Sequence, residues 1–291
     1  MSIDVLHEKI RKLKCPLMVD LSTQPELLPP HLLEQEGNYA QAYFRFCREV
    51  LTALEGKAAA VRFNFDEFAL LDGGLPELRK LMKQAKNAHF YVLLDGPQML
   101  TPWSAQRAAD TIFGGEDYCC DGLLISPYIG SDAIRPFLPY CAEGQKDLFV
   151  AVRSPNKSAS ELQDLLSGKR LVQGAAAELV NRFGEPIFTK CGYSRICAAV
   201  SAGYPEGLRT LRGQYSRMFL LVDGLDYPSG NAKNCSYAFD RFGYGAIVSV
   251  GPEITSVWKK VEGSDGTDYL DLAAQSAERL KKNILRYVTI L

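Results

Sequence analysis

Short apolar runs recur along the chain and alternate with segments in which apolar residues follow helical spacing. There are eight such runs of four to six residues each, a pattern typical of parallel strands that are buried on both faces. The predicted strands are Leu17–Leu21, Ala58–Phe63, Phe90–Leu94, Gly122–Ile125, Leu148–Val152, Ile196–Val200, Met218–Val222 and Ala246–Val250. The predicted helices are Met1–Lys14, Ala40–Leu54, Leu75–Gln84, Ser158–Phe183, Pro205–Arg212 and Ala232–Phe242.

Eight strands with intervening helices over about 250 residues predict an α/β fold, the (β/α)8 TIM barrel. An open doubly wound sheet is the alternative, but no Gly-rich dinucleotide loop follows the first strand. Two segments lie outside the alternation, the Pro-containing stretch Thr23–Gly37 and the C-terminal helical segment Ser264–Leu291. We predict a single domain over residues 1–291, with an N-terminal helix and a C-terminal helical extension.

Composition narrows the class of protein. The chain is 47% hydrophobic and 23% charged, which allows a large core and excludes intrinsic disorder. Its 33 basic and 34 acidic residues balance, and no run of 18 apolar residues occurs, so we expect neither nucleic acid nor membrane as a partner. The eight cysteines form no CxxC pair, and none of the three histidines is near a cysteine cluster in sequence, so we expect reduced thiols, a cytoplasmic location, no metal and no cofactor.

In a barrel of this kind the functional residues follow the strands. Several strand-end segments carry recognisable motifs: CPLMVDLS at 15–22, VRFN at 61–64, YIGSDA at 128–133 with PFL at 136–138, VRSPN at 152–156, and GYPEGL at 203–208 with LR at 211–212. They resemble, in the same order along the chain, "SPVCVGLDP", "VKPQ", "NPYxGxDxxxPF", "VRTSN" and "GATYPxxLxxLR" of the longer-chain bacterial orotidine 5'-monophosphate decarboxylases. The resemblance extends over roughly residues 3–262.

The resemblance implies removal of carbon dioxide from a pyrimidine nucleotide by an Asp–Lys–Asp–Lys charge network, with one Asp supplied by the partner subunit. Most of the matching positions are changed here. The Asp of "GLD" is Ser22, the proton-donating Lys is Pro97 and the second Asp of "DxKRxD" is Leu100. Asp95 is retained, and Arg62 keeps a positive charge without a titratable amine. Asp95 and Arg62 are therefore the remaining catalytic candidates.

The positions that meet the nucleotide in the family are also changed. The pyrimidine-binding Ser corresponds to Pro155, the phosphate-loop Gln to Pro228 and the phosphate-binding Arg to Pro252. Proline lacks the backbone N–H on which phosphate sites depend, and Asp223 and Asp226 would repel a phosphate. The remaining ligand-binding candidates are Asp20, Tyr128, Asn156, Asp223, Gly224, Ser229, Gly230 and Gly251.

Each candidate also has a structural interpretation. Asp95 is either a surviving catalytic acid or a residue that caps the next helix or pairs with Arg62. Arg62 either binds an anionic ligand or forms an ion pair with Asp95 or Asp20. Trp103 and Tyr128 either stack on a ring or belong to the core or an interface. A divalent cation is a weaker alternative for a set of four carboxylates, Asp20, Asp95, Asp223 and Asp226.

We interpret the chain as a decarboxylase-like barrel that has lost its activity, a pseudoenzyme that binds a ligand or a partner. Two alternatives stay open: a true orotidine-5'-phosphate decarboxylase, a lyase of de novo pyrimidine biosynthesis, and a different enzyme activity at the same barrel mouth. The expected ligand is a small anionic or nucleotide-like molecule. The resemblance implies a homodimer whose interface lies near Tyr128–Phe137, and a heterodimer with an intact paralogue is the alternative.

Overall fold

Eight parallel strands close into a barrel in the computed structural model, which describes residues 2–144 and 146–291. The strands of the chain are β1 Leu17–Asp20, β2 Ala60–Asn64, β3 Tyr91–Asp95, β4 Gly122–Ile125, β5 Asp147–Arg153, β6 Leu166–Ser167, β7 Arg170–Leu171, β8 Ile196–Ser201, β9 Leu220–Asp223 and β10 Ala246–Val250. Around the barrel their order is β1-β10-β9-β8-β5-β4-β3-β2, while β6 and β7 form a separate antiparallel hairpin. The predicted (β/α)8 TIM barrel is confirmed.

Helices surround the barrel and connect its strands. The α-helices are α1 Ile3–Leu13, α2 Pro30–Glu36, α3 Tyr39–Ala53, α4 Phe65–Ala69, α5 Gly74–Asn87, α6 Pro102–Ala108, α7 Leu138–Ala142, α8 Val172–Gly184, α9 Pro205–Gln214, α10 Ala232–Ser236, α11 Pro252–Thr255 and α12 Tyr269–Leu285. Shorter 3-10 turns occupy Pro25–Leu27, Gly130–Ala133, Arg135–Phe137, Lys157–Glu161 and Val257–Lys260, and a π-helical turn occupies Ala109–Phe113.

The apolar runs form the barrel because side chains on both faces of these strands are buried. All eight predicted strands are present, and six of them have ends that differ from the prediction by one or two residues. β4 and β10 match the predicted bounds, and every residue of both strands is buried. A strand that is covered on both faces needs apolar residues at every position, which makes it visible in the sequence.

Two helix predictions were wrong in part. The segment 158–171, predicted as the first half of a long helix, contains a 3-10 turn and the β6–β7 hairpin, and α8 begins only at Val172. Gly168, at φ +67°, makes the tight hairpin turn that interrupts the helix. The helix predicted over Ala232–Phe242 ends at Ser236, because the Asp240 carboxylate accepts the backbone N–H groups of Phe242 and Tyr244 and fixes a loop there.

The terminal helices cover the outside of the barrel. α1 buries Ile3, Leu6 and Ile10, three residues of its predicted apolar stripe. Asp147, at the start of β5, accepts a hydrogen bond from the hydroxyl of Tyr91 at 2.8 Å and from the backbone of Ile3. This buried carboxylate therefore connects α1 to the end of the barrel opposite the mouth. No helix in the described part of the chain is long and apolar enough to cross a membrane.

Candidate functional site

A cavity of about 650 Å³ opens at the carboxyl ends of the barrel strands. All eight strands contribute to its wall, and the small side chains of Ala151, Ala199 and Ser249 leave room near the barrel axis. A volume of this size accommodates a small organic molecule. The cavity at the mouth of the barrel is therefore the candidate functional site, at the end of the barrel where this fold carries its active sites.

The Arg62 guanidinium lies at the centre of the charges in this cavity. Arg62 is on β2, next to Asp20 on β1, and only 9% of its side chain is exposed. Its Nη2 atom lies 2.6 Å from Asp95 Oδ2, and its Nη1 atom lies 3.0 Å from Asp223 Oδ2 and 3.5 Å from Asp20 Oδ2. Burial opposes the charged form, but the charges of Asp223, Asp20 and Asp95 raise the pKa of Arg62 well above its usual range. We call these four residues the arginine–aspartate cluster.

Two further carboxylates stand beside the arginine–aspartate cluster. Glu67, on α4, accepts the hydroxyl of Tyr43 at 3.2 Å, and burial together with the charge of Asp20 raises the pKa of Glu67 to about 7. Asp226 accepts the backbone N–H of Gly251 at 2.9 Å, and burial raises its pKa as well. Burial likewise raises the pKa of Asp95, although Arg62 opposes the rise. Neither Glu67 nor Asp226 forms an ion pair with Arg62 in the described structure.

The cavity carries an excess of negative charge. Its wall has five carboxylates and two guanidinium groups, and no lysine of the described residues lines it. The second guanidinium, that of Arg153, is held by Asp164 through two hydrogen bonds of 3.1 Å and donates a third to the carbonyl of Ser154. Both positive charges of the wall are thus already engaged by protein groups.

Backbone amides at the mouth are engaged in the same way. The N–H groups of Ser22, Gly224 and Gly251 donate at 2.9 Å to carboxylates, and the acceptors are Asp20, Asp223 and Asp226 respectively. A phosphate site needs several amides that converge and remain available to the ligand. Here side chains of the protein accept them, and the wall further contains Pro97, Pro155, Pro228 and Pro252.

Most of the residues predicted from the sequence come together in this cavity. The wall includes Ser22, Arg62, Asp95, Pro97, Asp20, Asn156, Asp223 and Gly251. Asp95 forms an ion pair with Arg62. It does not cap the next helix, α6, because the N-cap residue of α6 is Thr101. The Arg62 guanidinium also lies among the aspartates considered for a divalent cation, and the described residues contain no group of three or more His, Cys, Asp or Glu side chains arranged to hold a metal ion.

Six other predicted residues lie outside the cavity wall: Leu100, Trp103, Tyr128, Gly224, Ser229 and Gly230. Leu100 and Tyr128 are 70% and 74% exposed on the surface. Gly224 and Gly230 pack against each other, since a Cβ added to Gly230 would lie 2.2 Å from the carbonyl oxygen of Gly224. These two glycines therefore shape the loop after β9 through close backbone packing.

Three polar residues of the cavity wall that matter for its chemistry, Thr23, Glu67 and Ser249, were not among the predicted site residues. The Oγ1 atom of Thr23, the Oγ atom of Ser249 and the Nε atom of Arg62 are buried without a hydrogen-bond partner among the described residues. Signals for two of them exist in the sequence. Ser249 is the only polar residue of β10, and Glu67 stands three residues after Asn64, which caps α4.

Replacing Arg62 tests the arginine–aspartate cluster. Arg62→Gln leaves three partly buried carboxylates without their shared counter-charge, so we expect the free energy of unfolding to fall by about 3 kcal/mol at pH 8. The loss should be smaller at pH 5, because burial raises the pKa of Asp95 and its protonation relieves part of the repulsion, and Arg62→Lys should be intermediate. Urea unfolding measures the effect, with the exposed Arg135→Gln as control. Equal losses for Arg62→Gln and Arg135→Gln would contradict the cluster's role.

Glu67 gives the stability of the protein a predictable pH dependence. Its pKa is raised to about 7 in the folded state, so between its ordinary value near 4.5 and pH 7 the folded protein binds a proton that the unfolded chain has lost. Stability from this group is therefore lost as pH rises through that window. We expect Glu67→Gln to gain stability relative to the native protein between pH 5 and pH 8 in urea unfolding. The exposed Glu55→Gln should show no such change, and a pH-independent difference for Glu67→Gln would refute the assignment.

The sequence of this chain is similar to those of several known proteins. No profile of a known protein family matches the sequence. The orotidine 5'-phosphate decarboxylase of Rhodopirellula baltica is 30% identical over 261 residues, which cover 86% of each chain. The enzyme of that name from Clostridium kluyveri is 28% identical over 289 residues, 98% of each chain.

Solved structures agree in fold. Leishmania donovani OMP decarboxylase superposes with a TM-score of 0.71 at 21% identity, over 97% of this chain and 100% of that one. The Plasmodium berghei orotidine 5'-monophosphate decarboxylase gives 0.73 at 14% identity, over 97% and 98%. Identities this low support the fold alone, whereas the sequence matches extend over nearly all of the chain. The chain belongs to the orotidine 5'-phosphate decarboxylase family.

Proposed function

We propose that this protein is a ligand-binding member of the family that has lost the decarboxylation of orotidine 5'-monophosphate. The observation that carries the proposal is Pro97, which lines the cavity at the position that matches the family's proton-donating lysine. The side chain of proline cannot donate a proton, and no lysine among the described residues lines the cavity wall. A positioned general acid typically contributes about 10² to 10⁴ in rate, and the neighbouring charges are changed as well.

The hydrogen bonds at the mouth support the loss of nucleotide binding. A phosphate would meet the carboxylates of Asp223 and Asp226, which accept the amides of Gly224 and Gly251. To bind, it would have to displace both carboxylates from these amides and overcome their charge. The same charge argues against the small anionic ligand that the resemblance implied.

Two other functions have some support. Family membership favours the plain alternative, an orotidine-5'-phosphate decarboxylase of pyrimidine biosynthesis, which is the name of the relatives described above. Glu67 favours a different reaction at the same mouth, because a carboxyl with a pKa of about 7 is suited to general acid–base catalysis. The lost lysine position distinguishes our proposal from the first alternative, and a turnover assay tests it directly.

We expect purified protein to turn over orotidine 5'-monophosphate at least about 10³-fold more slowly than the Clostridium kluyveri relative, a difference of about 4 kcal/mol in barrier. Loss of the substrate's ultraviolet absorbance measures the rate, and the relative serves as positive control. Calorimetric titration with uridine 5'-monophosphate should give no heat up to millimolar concentration. Turnover within tenfold of the relative would establish the plain decarboxylase instead.

We further propose a homodimer that uses the face around α6. Leu100, Trp103 and Tyr128 are 70%, 86% and 74% exposed, and α6 contacts the turn Gly130–Ala133 that follows Tyr128. Large apolar side chains grouped on a surface mark interaction sites. Leu100 stands at the position of the second Asp of "DxKRxD", so an exposed apolar group replaces a carboxylate on this face.

The eight free thiols support a reducing, cytoplasmic location.

The dimer proposal predicts that Trp103→Glu shifts the protein towards monomer. The change puts a charge at the centre of the proposed interface, where burial would be costly. Sedimentation velocity measures the dimer fraction, and Tyr287→Glu, an exposed aromatic after α12, serves as the matched control. A native protein that is monomeric at micromolar concentration, or a Trp103→Glu variant that dimerises normally, would refute this interface.

A further inference from the structure

We infer that the barrel mouth binds a small organic cation, a protonated amine that carries hydroxyl groups. This inference rests on the proposed function, in which the site no longer binds the family's nucleotide. It goes further because it names the chemical class of the ligand that the cavity accepts.

The charges of the wall favour a positive ligand. Among the described residues, Arg62 is the single counter-charge within 3.5 Å of Asp20, Asp95 and Asp223, so the arginine–aspartate cluster keeps a formal excess of two negative charges. Glu67 and Asp226 add to this excess from the same wall, while Arg153 is held by Asp164. In a partly desolvated cavity such an excess attracts a cation and repels an anion more strongly than it would in bulk water.

A second and independent observation points to hydroxyl groups on the ligand. Ser249 is 1% exposed and Thr23 is 7% exposed, and the hydroxyl of each is buried at the wall without a hydrogen-bond partner among the described residues. Nε of Arg62 is unpartnered in the same way. Buried polar groups are normally satisfied, so three unsatisfied ones around one cavity mark places for ligand atoms. A ligand hydroxyl both donates and accepts, and therefore suits serine, threonine and the arginine N–H.

A metal ion fits this site less well than an organic cation. Magnesium and calcium need six or more oxygen ligands at about 2.0–2.6 Å. The guanidinium of Arg62 occupies the space among the three aspartates, at 2.6 to 3.5 Å from their oxygens. The cavity, about 650 Å³, is also far larger than one ion and suits a molecule of several carbon atoms.

Three six-carbon polyols that differ at one end test the inference. Glucamine (1-amino-1-deoxysorbitol) carries an ammonium group, sorbitol a hydroxyl and gluconate a carboxylate, on similar hydroxylated chains. By calorimetry at pH 7.5 we expect glucamine to bind at least about tenfold more tightly than sorbitol, a difference of about 1.4 kcal/mol. Gluconate should not bind, and added sodium chloride should weaken the binding of glucamine.

Variants connect the binding to the named residues. Asp226→Asn keeps an oxygen that can accept the N–H of Gly251 but removes a charge, and we expect it to weaken glucamine binding at least fivefold. Ser249→Ala should weaken glucamine and sorbitol alike, because both ligands offer hydroxyl groups. Glu55→Gln, at an exposed site after α3, should leave binding unchanged. Unaltered binding by both Asp226→Asn and Ser249→Ala would overturn the inference.

The remaining outcomes separate this inference from the proposed function. Equal affinities for glucamine and sorbitol, or a larger thermal shift with magnesium chloride than with glucamine, would overturn the organic cation. If neither glucamine nor uridine 5'-monophosphate binds, this inference fails while the proposed loss of nucleotide binding stands. Binding of uridine 5'-monophosphate would overturn this inference together with the proposed loss of nucleotide binding, whereas the loss of decarboxylation is decided by the turnover assay alone.

Discussion

The arginine–aspartate cluster is the interaction on which the arrangement of the barrel mouth depends. Arg62 from β2 connects Asp20 of β1, Asp95 of β3 and Asp223 of β9, so one guanidinium holds the ends of four strands together. Because each aspartate is at least three-quarters buried, none can lose its counter-charge without a large cost. The cluster therefore sets both the shape and the charge of the cavity.

The same carboxylates determine which ligands the mouth can accept. Asp20 and Asp223 each use one oxygen for Arg62 and the other for the backbone N–H at the start of the following loop. A loop whose first amide is held by its own strand's aspartate cannot turn that amide towards a phosphate. Pro97, Pro155, Pro228 and Pro252 in the cavity wall have no backbone N–H, so they cannot donate one to a phosphate either. The proposed loss of nucleotide binding and the proposed preference for a cation thus have a common physical origin.

Features that leave a local pattern of residues could be predicted from the sequence. Features that depend on a single backbone conformation or on contacts between distant residues could not. The strands were predictable because double-sided burial leaves a local apolar signature, as at Gly122–Ile125. The β6–β7 hairpin was missed because its turn depends on the backbone conformation of one residue, Gly168. Arg62 and Asp223 could be expected to converge because both lie near the carboxyl ends of barrel strands. Ser249 stands out in the sequence as the polar residue of β10, but the face of the strand on which it lies depends on the register of the barrel. Tyr128, three residues beyond β4, is 74% exposed and lies outside the cavity wall.

The barrel can keep the family fold although residues of the family's motifs at its mouth are changed. The core consists of apolar side chains along the strands and helices, and the changed motif positions Ser22, Pro97, Pro155, Pro228 and Pro252 line the cavity at the mouth. Stability in such barrels is carried by the interior layers and by the opposite end, where Asp147 holds α1. Substitutions at the mouth can therefore leave the core intact, and a chain 30% identical to its relative over 261 residues keeps the barrel. Family membership determines the scaffold, and the charges of the cavity wall determine its ligand.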